Sequence, residues 1–370
     1  MKSRTIKPPA EVLYKKELMA LQKYDKGAKP ANWRLSPKAV RTFILGCDEP
    51  LEIDGEQVYI TKKFYGDDTL IERCIVTLAG NRGLMLVGEP GTAKTMLSEL
   101  LTAAICGTST NTIQGTAGTV EDMIKYSWNY AMLLAKGPSR EALVPSPIYI
   151  GMEKGIITRL EEITRCPSEV QDSLISILSD KVLNIPELGE DGVVFAESGF
   201  NVIATANIRD KGVNEMSSAL KRRFNFETVF PIKDLSLEVE IIEKESKKLL
   251  NQSGIDIKID RDAVEILAST FHELRNGVTV EGYRLDKPEA VMSTAEAVSV
   301  YFQSAMSAYY YDDGNMSMDR VVQNILGAVM KENRDDLNKI KNYFTLVVKQ
   351  RSTKEGGLWK DYYSAKKWIK

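Results

Sequence analysis

The sequence predicts an α/β domain built on a mostly parallel sheet, followed by a smaller all-helical domain. Two observations carry this. Three short apolar runs, GLMLVG (83–88), GIITRLEEI (155–163) and FNVIATAN (200–207), are interleaved with helical patterns at 69–80, 96–107 and 168–179. Strands that alternate with helices imply parallel pairing, with helices covering both faces of the sheet. After about residue 236 the strand signal stops, and 236–252, 261–276 and 293–310 all carry apolar residues at helical spacing.

The elements follow in order. Residues 1–60 read as a lead-in broken by KPP and KPANW, with one short helix in LSPKAVRTFILG (35–46) that a Ser-Pro pair starts. The stretch TLIERCIVTLAG ends on a glycine, as helices do. GLMLVG, bounded by glycines, reads as a buried strand, and MLSELLTAAICG as the helix after it.

Composition removes several classes of function. The chain has 370 residues, 43% hydrophobic and 27% charged, enough for two or three soluble domains. No apolar run reaches the ~18 residues of a membrane span, and the N-terminus lacks the apolar core of a signal peptide, so a cytoplasmic location is expected. The four cysteines (Cys47, Cys74, Cys106, Cys166) form no CxxC pair and read as reduced. His272 is the single histidine, which leaves no histidine triad or histidine zinc site; in FHELR it reads as a helix-surface residue. Residues 1–43 carry eleven Lys+Arg against three Asp+Glu, and 331–370 carry eleven against five. Such ends fit solvated, partly mobile termini, or contact with an acidic surface or nucleic acid.

The strongest chemical signal follows the first buried strand. Gly88, Glu89, Pro90, Gly91, Thr92, Ala93, Lys94 and Thr95 have the spacing GxxxxGK[ST], with alanine in place of the last glycine, and Met96 continues the helix. A glycine-rich turn lets backbone N–H groups surround a phosphate, and the next helix presents its positive end. Lys94 would reach the β- and γ-phosphates, and Thr95 would hold magnesium. At Ala93 helical dihedrals are expected, which tolerate the added methyl. An acidic pair then ends a strand: Glu161 would help hold magnesium, and Glu162 would orient the attacking water. Asn207, at the end of the next strand, could hydrogen-bond the γ-phosphate and that water. In LKRRF, an arginine could cross to a neighbouring subunit's ATP.

In this order, GEPGTAKT, RLEEITRCPSEVQDSLISIL, NVIATANIRD and ALKRRF resemble the MoxR-like branch of AAA+ ATPases over roughly residues 60–330. The resemblance implies a P-loop NTPase (AAA+) core with a parallel sheet, a smaller all-α lid, ATP and Mg2+ as ligands, and a ring, usually a hexamer. It makes 88–95 Walker A, Glu161 and Glu162 Walker B, Asn207 sensor 1, and Arg223 the arginine finger with Arg222 its rival. The implied layout is a lead-in at 1–60, a core at 61–235 with an insertion at about 115–150 that faces a pore or partner, a lid at 236–330, and a basic helical tail at 331–370. The implied work is remodelling or assembly of a protein client, commonly one with a von Willebrand factor A domain. A metal-chelatase motor, a nucleic-acid motor and an ATP-bound scaffold are the alternatives; a pI near 5.8 speaks against nucleic acid. The sequence departs from the family at Ala93, at Glu161 (usually aspartate), and at 292–297, where the lid arginine of sensor 2 is missing and Arg284 is the expected substitute.

Overall fold

A computed structural model describes residues 5–207, 213–330 and 333–370. Residues 208–210 of the NVIATANIRD stretch and the first two residues of the expected tail lie outside the described residues. The described residues fall into two units, one within Met1–Gly88 and Ala93–Val229, the other within Glu89–Thr92 and Phe230–Lys370.

The first unit holds a five-stranded sheet of β1 (Gly83–Gly88), β2 (Thr112–Gln114), β3 (Thr158–Glu161), β4 (Val202–Asn207) and β5 (Phe224–Val229). The order across it is β5-β1-β4-β3-β2, and every pairing is parallel. The alternation of side chains along a strand divides the core. Leu84, Leu86 and Ile203 face the layer that contains the helices Pro37–Leu45, Asp68–Ala79 and Lys94–Cys106. Met85, Val202 and Ala204 face the opposite layer, with Leu174 and Ile177. β1 is covered on both sides, which is why its sequence is apolar throughout rather than alternating. Strands β2 and β5 had no counterpart in the sequence reading. The helix expected at 168–179 is present as two pieces, Ser168–Asp172 and Leu174–Ser179.

The N-terminal stretch is not a solvated lead-in. Helices Ala10–Leu13, Lys15–Tyr24 and Pro37–Leu45 and the hairpin of Leu51–Ile53 with Glu56–Val58 pack onto the sheet unit. Ala20, Leu21, Trp33, Leu35, Val40, Phe43 and Ile44 are all buried in its core. Ser36 caps the third helix by accepting from the Ala39 N–H, as the Ser-Pro start implies. Even a lysine is drawn in. Lys63 bonds Glu17 and the carbonyls of Phe43 and Thr61, and lies 4.3 Å from the Phe43 ring centre. The excursion at 115–150 contains an antiparallel hairpin, Tyr126–Trp128 with Leu143–Pro145. Between its strands runs the helix Tyr130–Lys136, which buries none of its side chains.

The second unit is helical: Leu235–Gln252, Arg261–Asn276, Thr294–Tyr311 and Met318–Val329, then Asp335–Tyr343, a π-turn at Phe344–Val348, Lys349–Lys354 and Gly357–Ser364. Asp234 and Asp260 cap the first two helices, and Ser293 with Glu296 forms a capping box on the third. The basic tail is not a solvated end either. Tyr343, Phe344, Val348, Tyr362 and Ile369 join the same core as Val264, Phe271 and Val300. Arg351 there bonds buried Glu273 at 2.6 Å and Glu281 at 2.9 Å. His272, expected on a helix surface, is half-buried and bonds Glu238 at 2.9 Å. Among the described residues no helix is long and apolar enough to cross a membrane.

Candidate active site

Register gathers the chemistry. Gly88, the last residue of β1, pairs with Asn207 at the end of β4, and Glu161 at the end of β3 pairs with Gln114. The carboxyl edge of a parallel sheet, where helices begin, is where open α/β sheets bind ligands.

After Gly88 the chain turns through Glu89, Pro90, Gly91 and Thr92. Gly91 takes φ +75°, and the Thr92 hydroxyl donates to the Glu89 carbonyl at 2.9 Å. The helix Lys94–Cys106 then starts. Ala93 does not have the helical dihedrals expected of it: at φ 67° and ψ 22° it is left-handed. The last glycine of the motif supplies this conformation without strain, and the alanine methyl does not. Lys94 is buried, with Nζ donating to the Gly88 carbonyl at 3.2 Å across the mouth of the loop. Met96 is exposed on the helix.

Glu161 is 5% exposed and its carboxylate is fully engaged. Oε1 accepts from Ser98 Oγ and Arg159 Nη2, both at 2.7 Å; Oε2 accepts from Thr205 Oγ1 at 2.7 Å and Thr95 Oγ1 at 3.0 Å. Burial alone would raise its pKa. The Arg159 charge, helped by the Thr205 and Ser98 hydroxyls, outweighs burial and holds it below the usual carboxylate range. A threonine hydroxyl backed by an ionised carboxylate is an all-oxygen donor set of the kind magnesium takes, so the residues fit that ion.

Glu162 differs in every respect. It leaves the strand at φ 57°, its N–H donates to Thr205 Oγ1 at 3.0 Å, and its side chain is 23% exposed. Oε1 accepts from Asn207 Nδ2 at 2.8 Å, and Arg165 Nε stands 3.7 Å from Oε2. Gly115 touches the same backbone: a Cβ there would lie 2.5 Å from the Glu162 carbonyl oxygen and 2.9 Å from that of Glu161.

The structure thus brings together Gly88, Lys94, Thr95, Glu161, Glu162 and Asn207. Arg223 spends its guanidinium internally, on Ser179 Oγ at 2.8 Å and the Ala219 carbonyl at 2.9 Å. Arg222, beside it, is exposed. Arg284 lies on an exposed turn of the helical unit, its backbone bridged to Val278. Arg275 of that unit has a side chain only 6% exposed and bonds Glu238 and the Met292 carbonyl. With Gly91, Thr92, Ser293 and Thr294 of the same unit, Arg275 lines a cavity of about 30 Å³. Sequence reasoning missed Ser98, Arg159, Thr205, Gly115 and Arg275. Two of these had a usable signal, since Arg159 and Thr205 sit two residues before Glu161 and Asn207 and so share their strand faces.

Residues 83–224 match the family described as AAA domain (dynein-related subfamily), and 236–370 match the YehL-like AAA+ ATPase C-terminal domain. The chain is similar to the uncharacterized protein YehL of Escherichia coli (strain K12), 48% identical over 362 residues that span 97% of this chain and 96% of that protein. It is also similar to chaperone MoxR1 of Mycobacterium tuberculosis, 27% identical over 234 residues, 60% of this chain and 57% of that one. Among solved structures, it is similar to Brucella abortus NtrX in complex with ATP, at 14% identity and TM-score 0.46, over 84% of this chain and 69% of that one.

Proposed function

Because the chain belongs to the YehL-like AAA+ ATPases, which are of the MoxR type, we propose that it binds ATP with Mg2+ at 88–96, hydrolyses it, and uses the cycle to remodel or assemble a protein partner. One observation carries the reading: a lysine, a carboxylate-backed threonine, a second glutamate and an asparagine meet at adjoining ends of parallel strands. In this reading the turn N–H groups and Lys94 hold the phosphates. Thr95, with Glu161 behind it, holds Mg2+, which when bound neutralises charge on the phosphates. Asn207 points Glu162, and Glu162 Oε1 accepts the proton of the attacking water while Asn207 holds the γ-phosphate.

A ring, a hexamer by the family's habit, would let Arg222 of one subunit reach a neighbour's nucleotide. Arg222 replaces Arg223 as the first choice because Arg223 is bonded within its own subunit. The client, a von Willebrand factor A protein among the options, would meet the excursion at 115–150, where Tyr130 and Leu134 are 73% and 89% exposed. A relative carrying the name chaperone supports that kind of work, and a cytoplasmic setting suits it.

Two variants test the reading. Lys94→Ala should lose nucleotide binding, and Glu162→Gln should bind ATP as tightly as the parent while phosphate release stops. Normal turnover by Glu162→Gln would remove Glu162 from its role. The saturated state of Glu161 favours one second reading, an ATP-bound scaffold with slow turnover. Phosphate release from the parent, with and without a co-purifying partner, separates the two.

A further inference from the structure

Arg159 has no part in the chemistry above, yet its placement is unusual. It stands in the middle of a parallel sheet, where both faces of a strand are ordinarily apolar, and its side chain is only 5% exposed. Alternation along β3 puts residues 159 and 161 on one face. Each nitrogen of the guanidinium donates a hydrogen bond. Nε donates to Ser98 Oγ at 2.9 Å, Nη1 to the Ser109 carbonyl at 2.7 Å and Nη2 to Glu161 Oε1 at 2.7 Å, with Glu99 Oε1 3.7 Å from Nη2. Ser109 is itself pinned, because its N–H and hydroxyl donate to Glu11 Oε2 at 3.0 and 2.7 Å. The N-terminal helix thus anchors the far side of the fork.

The arrangement answers a steric question. Glutamate carries one methylene more than the aspartate usual at this position, and therefore one more torsion to fix. Arg159 and Ser98 together occupy Oε1, so the carboxylate can offer only Oε2 toward Thr95. We propose that Arg159 is a positioning residue for the magnesium site. It fixes Glu161 in the single orientation that supports Mg2+ through the Thr95 hydroxyl, and so makes a glutamate serviceable there. Two effects oppose each other when Arg159 is removed. Loss of a nearby positive charge favours the cation, whereas a carboxylate this buried cannot stay in place unpaired and turns away from Thr95. Burial decides for the second, since both partners are nearly excluded from water.

The assignment rests on the nucleotide reading above, and its test separates the two. Binding of a fluorescent ADP analogue to the full chain is measured in EDTA and across a Mg2+ series. The parent should bind in EDTA and tighten with Mg2+. Arg159→Met should bind in EDTA within about 3-fold of the parent, because the phosphate loop is untouched, while its Mg2+ tightening falls about 10-fold, or ~1.4 kcal/mol. Arg159→Lys, which keeps the charge without the fork, should recover part of that loss. Should Arg159→Met fail to fold, Ser98→Ala, a helix-favouring change that removes the bridge between Arg159 Nε and Glu161 Oε1, should lower the tightening by about 3-fold at an unchanged melting temperature. Parent-like Mg2+ tightening in Arg159→Met or in Ser98→Ala overturns the assignment alone. So does an equal loss in EDTA and in Mg2+. A parent that binds no analogue overturns the nucleotide reading and this assignment with it.

Discussion

Replacing Ala93 with glycine tests the backbone of the phosphate loop, because the sign of the effect depends on the conformation at that residue. Ala93 has φ 67° and ψ 22°, and an L-residue there brings Cβ against the following carbonyl at a cost of about 1–2 kcal/mol. Glycine removes that strain but loosens the unfolded chain, which gives back about 0.4–1 kcal/mol. The lost methyl is only half-buried, worth about 0.4 kcal/mol of the ~0.8 for full burial. The balance is a stabilisation of about 0.5 kcal/mol. Had Ala93 been helical, the same change would destabilise by about 0.5–1 kcal/mol. Equilibrium urea unfolding, with the midpoint read at constant slope, resolves the difference in sign. A destabilised Ala93→Gly protein would refute the left-handed assignment. Ala93→Val, a β-branched residue in the same conformation, should act oppositely and more strongly.

Other outcomes follow from named contacts. Gly115→Ala places a Cβ 2.5 Å from one backbone oxygen and 2.9 Å from another, so it should displace Glu162, lower stability by about 1–3 kcal/mol and cut phosphate release more than 10-fold; parent-like turnover would show that the backbone yields freely. Glu161→Gln turns an NH2 group toward two of the four donors and leaves buried Arg159 only the longer ion pair with Glu99, so denaturant unfolding should report a loss of about 3 kcal/mol, whereas Glu162→Gln should stay within about 0.5 kcal/mol of the parent. Glu238 is fully buried; burial alone would raise its pKa, but His272, Arg275 and Thr294 hold it below its ordinary 4.5. A carboxylate lowered in the folded state adds stability that is present above the unfolded value and disappears as pH falls through the folded one. Glu238→Gln should therefore be less stable at pH 7 and lose less than the parent between about pH 4.5 and 3, as urea midpoints against pH would show. Arg222→Ala should lower ATP turnover about 10³-fold and Arg223→Ala much less, with the reverse order in a phosphate-release assay returning the finger role to Arg223.

How far the sequence could be read depended on whether each signal was local. GLMLVG, GIITRLEE and VIATAN each start apolar and end on a candidate site residue, so strand, register end and candidate chemistry were visible together. β2 has three residues, too short to display a period. β5 carries exposed Phe226 between polar neighbours, and so did not read as a buried strand. The N-terminal helices were masked by prolines and lysines, yet Ala20, Leu21, Val40, Phe43 and Ile44 form a stripe that needs the sheet unit's helices to cover it. The tail misled in the same way: its lysines dominate the composition, while Tyr343, Phe344, Val348 and Tyr362 determine where it packs. Ala93 marks a different limit, because a substitution pattern shows which residue stands in a motif and not the dihedral it must adopt. Arg159 was hidden by the assumption that a central strand is apolar.

Glu161 ends β3 and Glu162, of identical chemistry, follows it, so their surroundings alone distinguish the roles proposed for them. When neighbouring carboxyl groups are given unlike environments, their functions separate. Glu161 has four donors on two oxygens, a buried ion pair and no lone pair turned toward solvent. It cannot accept a proton without breaking those contacts, and so it is fitted for fixed negative charge. Glu162 is rotated out of the strand by its left-handed backbone, a conformation that Thr205 and the tight approach of Gly115 hold in place. Without that kink, pleating would put Glu162 on the sheet face opposite Glu161, in the layer of Ile163 and Leu174. With it, both carboxylates remain at the strand end, and that of Glu162 accepts from Asn207 Nδ2. Thr205 binds the two together: its hydroxyl donates to the Glu161 carboxylate and accepts the Glu162 N–H. A displacement of either acid is therefore felt by the other, and Thr205 links the carboxylate proposed to support magnesium to the one proposed as general base.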